Sequence, residues 1–305
     1  MIYKLAGLDY FFIFIYFVAI LWLGLSKRKN KSPGNDVDYL LGGRQLTTPL
    51  FVFTLVSTWY GGILGVGEFT YLYGISNWLV FAFPYYIFAF IFAVFFAEKL
   101  YNKKVISIPE LIGNHYGKHA GLAAAFFVFI IISPAPYLLI ISILLSYILP
   151  GSTLQWALAS AVFSILYLRK KGFRTVILTD ILQFILMFAA FIILLFTLLK
   201  TYPIINTLST SLPENHLSPS GGLPFLSILT WFFIALWTLI DPGFHQRISA
   251  AKSVQSAKKG ILWSIVFWFI FDGLTLLTAL YARALLPALE NPLHAYPALA
   301  VKILP

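Results

Sequence analysis

The stretch FTLVSTWYGGILGVG, residues 53–67, decides how this sequence is interpreted. It lies within a long apolar run, yet it holds four glycines, two threonines and a serine. Each glycine costs a helix about 1 kcal/mol relative to alanine, and a bilayer core holds no water to satisfy freed backbone groups. Either the small residues form a face for a neighbouring helix, or the helix is interrupted here to build a site.

The composition places this stretch in a lipid bilayer. The 305-residue chain is 60% hydrophobic and only 10% charged, whereas soluble domains carry about 25% charged residues. Such a chain is an integral membrane protein. It has no cysteine, which excludes disulfides and thiolate metal sites. The net charge of +10 is explained by basic cytoplasmic loops, so no nucleic-acid partner is expected.

Eight apolar segments approach the ~20 residues that span a bilayer. They cover residues 8–26, 47–73, 78–98, 121–148, 152–168, 175–199, 224–243 and 260–282. The first has no basic region or small-residue cleavage site that would make it a signal peptide, so it is predicted to be retained.

The basic residues predict the topology of these segments. All but four of the 21 lysines and arginines fall in the alternate loops 27–46, 99–120, 169–174 and 244–259, the exceptions being Lys4, Lys200, Arg283 and Lys302. The positive-inside rule makes these loops cytoplasmic and puts both termini outside the cell membrane. The cluster at 33–36 is predicted to be a cytoplasmic turn, and 200–223 an irregular external connection.

Four carboxylates are predicted at or within the spans: Glu68, Asp180, Asp241 and Asp272. A carboxylate at bilayer depth costs several kcal/mol unless it is paired, solvated or protonated. Asp241 is expected to end its helix at the inner face, opposite Arg247. The position of Asp180 favours a role on a cation path over a role as a bridge between helices. Asp272 suits a transport path and helix packing equally, with Thr275 and Thr278 as packing partners, and the role of Glu68 stays open.

The stretch 53–67 has chemistry for both interpretations. Ser57, Gly61 and Gly65 lie four residues apart, a small-residue pattern typical of close helix packing. An interrupted helix would instead free carbonyl oxygens for a hard cation before the break, and N–H groups for a polar solute after it. The hydroxyls of Thr54, Ser57 and Thr58 favour the interruption.

Six motifs in order resemble the sodium:solute symporter family, which includes sodium-coupled proline, sugar, sialic acid, pantothenate and iodide transporters. They are residues 8–10 (LDY), 38–46 (DYLLGGRQL), 70–74 (TYLYG), 107–111 with 115–117 (SIPEL, HYG), 172–183 (GFRTVILTDILQ) and 246–260 (QRISAAKSVQSAKKG). Each motif alone is weak, but six in order with matching topology are specific. The resemblance runs from end to end of the sequence.

The resemblance implies an all-α fold with a leucine-transporter-type core of two inverted five-helix repeats after one extra helix. Residues 1–46 would then hold the extra helix and a cytoplasmic loop, 47–199 the first repeat, 200–223 an external loop and 224–305 two helices of the second repeat. The second repeat looks truncated, so a C-terminal fragment is an expected partner, and these residues alone are not expected to transport.

The resemblance also implies site residues. The family's sodium-ligating carbonyl groups fall on Leu55 and Thr58, and a polar position near the ion falls on Ser57. Asp180 matches an aspartate on the cation's route to the cytoplasm. These two carbonyls fall short of the ~6 oxygens that hard cations recruit, so further sodium ligands are expected beyond residue 305.

The predicted substrate pocket consists of Trp59, Tyr60, Gly61, Gly62 and Trp237, the last near the aromatic gate of the sugar transporters. The polar sugar ligands of those relatives do not carry over, because their positions here are glycine or apolar. A sugar is therefore disfavoured, and a small organic solute of another kind is expected.

The predicted function is sodium-coupled symport of a small organic solute across the cell membrane. A membrane sensor derived from a transporter is the alternative, although no cytoplasmic signalling domain supports it. An enzyme is not expected, because the sequence holds no HExxH or GxSxG motif and no paired aspartates.

Overall fold

The computed structural model describes residues 6–26, 36–170 and 172–304. The loop residues Lys4 and Lys171, the basic segment and turn at 27–35, and Pro305 lie outside the described residues. The described chain is helical and holds no strand. Its helices are α1 (Gly7–Leu25), α2 (Asp36–Leu41), α3 (Thr48–Trp59), α4 (Ile63–Tyr73), α5 (Phe83–Ile91), α6 (Ala97–Lys103), α7 (Ile108–Tyr116), α8 (Lys118–Ile131), α9 (Ala135–Ile148), α10 (Thr153–Leu168), α11 (Phe173–Thr201), α12 (Ile204–Ser211), α13 (Phe225–Ile234), α14 (Pro242–Ala250), α15 (Val254–Leu285) and α16 (Ala295–Ile303).

Seven helical stretches of the described chain are long and apolar enough to cross a membrane. They are Gly7–Leu25, Thr48–Tyr73, Trp78–Lys103, Lys118–Ile148, Phe173–Thr201, Phe225–Ala250 and Val254–Leu285. The remaining predicted segment, 152–168, forms α10, which at 16 residues is shorter than a ~20-residue span. Each predicted apolar segment thus contains a helix, and the prediction of an all-α multi-pass membrane protein is confirmed.

The core forms where α3 packs between α11 and α15. Phe51 and Val56 on α3 and Ile261 and Trp268 on α15 are all fully buried. Gly260 lets α15 approach closely, because an added Cβ atom there would lie 2.5 Å from the ring of Phe51. The stretch 53–67 therefore runs through the centre of the protein.

The segments that carry the family resemblance meet at one end of the bundle. Arg174 and Asp38 form an ion pair of 2.7 Å, and Gln246 Nε2 donates a hydrogen bond of 2.9 Å to the Leu40 carbonyl. The backbone N–H of Leu46 donates to the Ala250 carbonyl at 3.0 Å. The motifs thus join the ends of α2, α11 and α14 on the side predicted to be cytoplasmic.

Several predicted connections contain helices: α2 lies within 27–46 and α7 within 99–120. The segment 200–223, predicted to be irregular, contains α12. The segment 244–259, predicted to be a cytoplasmic loop, instead completes α14 and begins α15. Arg247 therefore lies on a helix inside the protein and is only 3% exposed.

The connection after α12 is docked on the turn that follows α4. The Ile75 N–H donates to the His216 carbonyl at 2.9 Å. The His216 ring lies 3.0 Å from the Tyr71 carbonyl through Nε2. Burial lowers the pKa of His216, so the ring is neutral at pH 7 and Nε2–H donates. Gly74, with φ +63°, permits this contact, because a Cβ atom there would lie 2.0 Å from the His216 carbonyl oxygen.

Gly74→Ala should lower the free energy of unfolding by at least about 2 kcal/mol, because it adds a left-handed backbone penalty to a backbone clash. Thermal unfolding of the purified protein in detergent measures the change. The matched control is Gly273→Ala on α15, where an added Cβ atom meets nothing within 4 Å. Equal unfolding temperatures for the two variants would contradict the docked arrangement.

Candidate functional site

The helix through residues 53–67 is interrupted by one tight turn. α3 ends at Trp59, Tyr60–Gly62 form a 3-10 turn, and α4 begins at Ile63. Gly61 faces α9, where an added Cβ atom would lie 2.8 Å from the ring of Tyr137. Gly62, by contrast, has no atom within 4 Å of an added Cβ atom. Gly61 therefore packs against a neighbouring helix, as the small-residue pattern predicts, whereas Gly62 and Gly65 face open space.

A second interrupted helix lies later in the chain. Between α13 and α14, Ala235–Leu239 form a 3-10 segment. The side chain of Asp241 accepts hydrogen bonds from the Phe244 N–H at 3.0 Å and from Trp237 Nε1 at 2.8 Å. Asp241 therefore begins α14 rather than ending a helix at the inner face, which corrects the prediction. Arg247, its predicted neighbour, lies 3.9 Å from the Asp180 carboxylate and is attracted by the charges of both Asp180 and Asp241.

The residues predicted to form the cation path belong to a buried network of polar side chains. The Thr54 hydroxyl donates to the Asp180 carboxylate, and the Ser57 hydroxyl donates to the Asp180 backbone carbonyl at 2.9 Å. Asp180 is 5% exposed. These contacts bring α3 and α11 together at the pair of residues, Ser57 and Asp180, that were assigned to the cation path.

The guanidinium of Arg247 completes this network. Its Nη2 donates to the Thr54 carbonyl at 3.0 Å and to the Thr58 hydroxyl at 2.6 Å, and lies 3.9 Å from the Asp180 carboxylate. Its Nη1 donates to the Gly243 carbonyl at 3.0 Å. A protein cation therefore lies beside the region where sodium was predicted.

The predicted sodium ligands lie next to this guanidinium. Thr58 is in the last turn of α3, and its carbonyl accepts the Tyr60 N–H. Leu55 lies almost a turn earlier and is buried in the core. The structure thus brings Thr58, Ser57 and Asp180 together, with Leu55 on the same helix.

The sequence contains a signal for Arg247 that was missed. Asp241-Pro242 is a helix N-cap followed by proline at the first helical position, a typical start of a helix. A helix starting at Pro242 carries Arg247 into its second turn. Arg247 was predicted to be one of the basic residues of the loop 244–259, so its place on this helix was not predicted.

On the other side of the tight turn lies a cavity of about 450 Å³. Seven aromatic residues contribute to its wall: Trp59, Tyr60, Phe69, Trp78, Phe81, Tyr85 and Trp231. Gly62, Glu68 and Asp272 also line it. Of the predicted pocket residues, Trp59, Tyr60 and Gly62 therefore line this cavity, whereas Gly61 and Trp237 lie outside its wall. Trp231, which the sequence did not single out, lies on the wall.

Asp272 is held by two tyrosines. Tyr60 donates a hydrogen bond of 2.7 Å to one carboxylate oxygen, and Tyr86 donates to the other. The packing partners predicted for it do not bond its carboxylate: the Thr275 hydroxyl donates to the backbone carbonyl of Asp272 at 3.2 Å, and the Thr278 hydroxyl donates to the Leu274 carbonyl at 2.7 Å. Asp272 thus joins α15 to the tight turn and to α5.

Arg247→Met should destabilise the protein by about 3–5 kcal/mol, because it leaves the Asp180 carboxylate buried without a cation. Adding Asp180→Asn should recover part of the loss, because asparagine carries no charge. A double-mutant cycle from denaturant unfolding in detergent measures the coupling.

The control is Lys258→Met, which breaks the solvent-exposed pair of Lys258 with Glu98. No measurable change in stability is expected from it. If Arg247→Met were as stable as the unchanged protein, the buried ion pair would not hold these helices together.

Curated proteins with related sequences are choline transporters. The chain is 26% identical over 264 residues to high-affinity choline transporter 1 of Torpedo marmorata, an alignment covering 81% of this chain and 45% of that protein. It is 27% identical over 113 residues to high-affinity choline transporter 1 of Drosophila melanogaster, covering 36% and 18% of the two chains. The chain thus spans less than half the length of these relatives.

A solved structure shares the fold. It is the substrate-bound, outward-open state of a Na⁺-coupled sialic acid symporter, matched with a TM-score of 0.79 at 16% identity over 98% of this chain and 68% of that one. The model of the sodium:solute symporter family matches residues 39–305. Both findings concern transporters rather than enzymes, and the chain belongs to the sodium:solute symporter family.

Proposed function

We propose that this chain takes part in sodium-coupled symport of a small organic solute across the cell membrane. The observation that carries the proposal is the position of one short helix turn. It separates the buried polar network of Asp180 from the aromatic cavity, and α3 contributes residues to both. Membership of the symporter family and the shared fold support it.

In this proposal the cation site lies around the end of α3. The carbonyls of Leu55 and Thr58 are sodium ligands, and Ser57 and Asp180 line the cation's route. Arg247 now donates to Thr58, and a sodium ion beside Thr58 would repel the guanidinium at such short range. Sodium binding and the packing of α14 against α3 would therefore be linked.

The cavity is the proposed solute site, with Trp59, Tyr60 and Gly62 in its wall. The predicted pocket residues Gly61 and Trp237 would act from behind this wall. The choline transporters related to this chain make choline the first solute to test. An aromatic wall suits it, because quaternary ammonium groups bind over aromatic faces.

The arrangement in the membrane is part of the proposal. Residues 47–199 would form the first inverted repeat and residues 224–305 the first helices of the second, with residues 1–46 before the core and 200–223 as an external loop. The two interrupted helices, α3–α4 and α13–α14, would be equivalent elements of these repeats. The N-terminus would lie outside the cell.

Sodium should raise the affinity of the purified chain for choline. Replacing sodium with potassium at constant ionic strength should weaken choline binding about tenfold or more, a typical coupling between two sites. Tryptophan fluorescence reports the binding, since Trp59, Trp78 and Trp231 line the cavity. Equal affinity in the two salts would reject sodium coupling.

The residue test for the cation path is Asp180→Asn, with Glu290→Gln outside the spans as the matched control. The sodium concentration that half-maximally promotes choline binding should rise about tenfold in Asp180→Asn, because the cation loses an attractive charge. Asp180→Asn also leaves the Arg247 guanidinium without its partner, so thermal unfolding determines the folded fraction of the variant. The affinity of that folded fraction at saturating sodium should stay within about twofold. An unchanged sodium dependence in Asp180→Asn would remove this carboxylate from the path.

A further inference from the structure

Asp272 is a partly buried carboxylate without a protein cation. It lies near the middle of α15, and among the described residues no lysine, arginine or histidine lies within ion-pair distance of it. Its partners are the hydroxyls of Tyr60 and Tyr86, which are neutral donors. A charge at bilayer depth that lacks a partner is costly and marks a functional site by default.

The two tyrosines fix the carboxylate but do not neutralise it. Each hydroxyl satisfies one oxygen of Asp272, while a carboxylate can accept about four hydrogen bonds. Tyr60 itself comes from the tight turn and lines the cavity. The negative charge of Asp272 therefore stays available at the wall of the cavity.

The rest of the wall favours a positive charge of low hydration. Indole rings of Trp59, Trp78 and Trp231 surround the same space. Aromatic faces attract ammonium groups, and tryptophan does so best. Glu68 adds a second carboxylate to the wall. No basic side chain is among the lining residues, so an anionic solute would meet repulsion there.

We propose that Asp272 is the counter-charge for an ammonium group of the solute, and that it makes the cavity selective for organic cations. This inference rests on the proposed solute site in the cavity. The Tyr60 and Tyr86 hydroxyls hold the carboxylate in place, and the indole rings cover the remaining sides of the ammonium group. A cavity of about 450 Å³ accommodates a molecule of this kind.

The test compares choline with 3,3-dimethylbutan-1-ol, a neutral molecule of nearly the same shape. Binding of both to the purified full chain is followed by tryptophan fluorescence, in sodium and in potassium. The unchanged protein should bind choline at least tenfold more tightly than the alcohol. Asp272→Asn should reduce this preference to about twofold or less, because the isosteric amide keeps the shape and removes the charge.

Two further variants keep the result interpretable. Asp272→Glu retains the charge and should retain most of the preference for choline. Glu68→Gln removes the other carboxylate of the wall and should reduce the preference by less than Asp272→Asn does. Thermal unfolding of each variant identifies any that fail to fold. If Asp272→Asn fails to fold, Asp272→Glu decides the question, because it shows whether the preference for choline is kept when the charge is kept.

Three outcomes would overturn the inference. Asp272→Asn could keep the preference for choline, or the unchanged protein could bind both molecules equally or bind neither. A loss of sodium dependence with the preference for choline intact would assign Asp272 to an inorganic cation instead. Because the preference is measured in both salts, a failure of sodium coupling alone would leave it visible.

Discussion

Three helices of the core meet at the guanidinium of Arg247. α14 supplies this cation, α3 supplies Thr54 and Thr58, and α11 supplies Asp180. Neither charge is tolerable alone at this depth, since breaking a buried ion pair leaves an uncompensated charge. The packing of these helices on the predicted cytoplasmic side is therefore set by electrostatics as much as by apolar contacts. An ion pair between Asp38 of α2 and Arg174 of α11 reinforces this packing at the same end of the bundle.

The closed polar network and the open cavity are two sides of one helix turn. The last turn of α3 faces Arg247, whereas Tyr60 and Gly62 face the cavity. A 3-10 turn has poorer hydrogen-bond geometry than an α-helix and commonly marks a hinge. Movement at Tyr60–Gly62 would therefore change both regions together. Coupling between a cation and a solute requires one structural element with two conformations, and the turn at Tyr60–Gly62 is positioned to be that element.

The sequence predicted the membrane spans and the family, because these follow from hydropathy and motif order. The resemblance to that family assigned Ser57 and Asp180 to one cation path, and they do lie in contact. The sequence did not predict which other side chains meet across the bundle. Arg247 was assigned to a loop because basic residues usually lie there. Trp237 was predicted as a pocket residue by likeness to relatives, yet Trp231 lines the cavity, whereas Trp237 donates a hydrogen bond to Asp241. Such contacts depend on the packing angles of distant helices, which one sequence does not encode locally.

The two carboxylates Asp180 and Asp272 differ in whether the protein itself supplies a cation for them. Asp180 faces Arg247, so its charge is balanced within the protein and the site is closed. Asp272 faces only tyrosine hydroxyls and a cavity, so its charge is balanced by nothing in the described chain. Removing either carboxylate from water costs free energy. The charge of Asp272 is balanced only when a cation binds in the cavity. The aromatic wall beside Asp272 suits an organic cation.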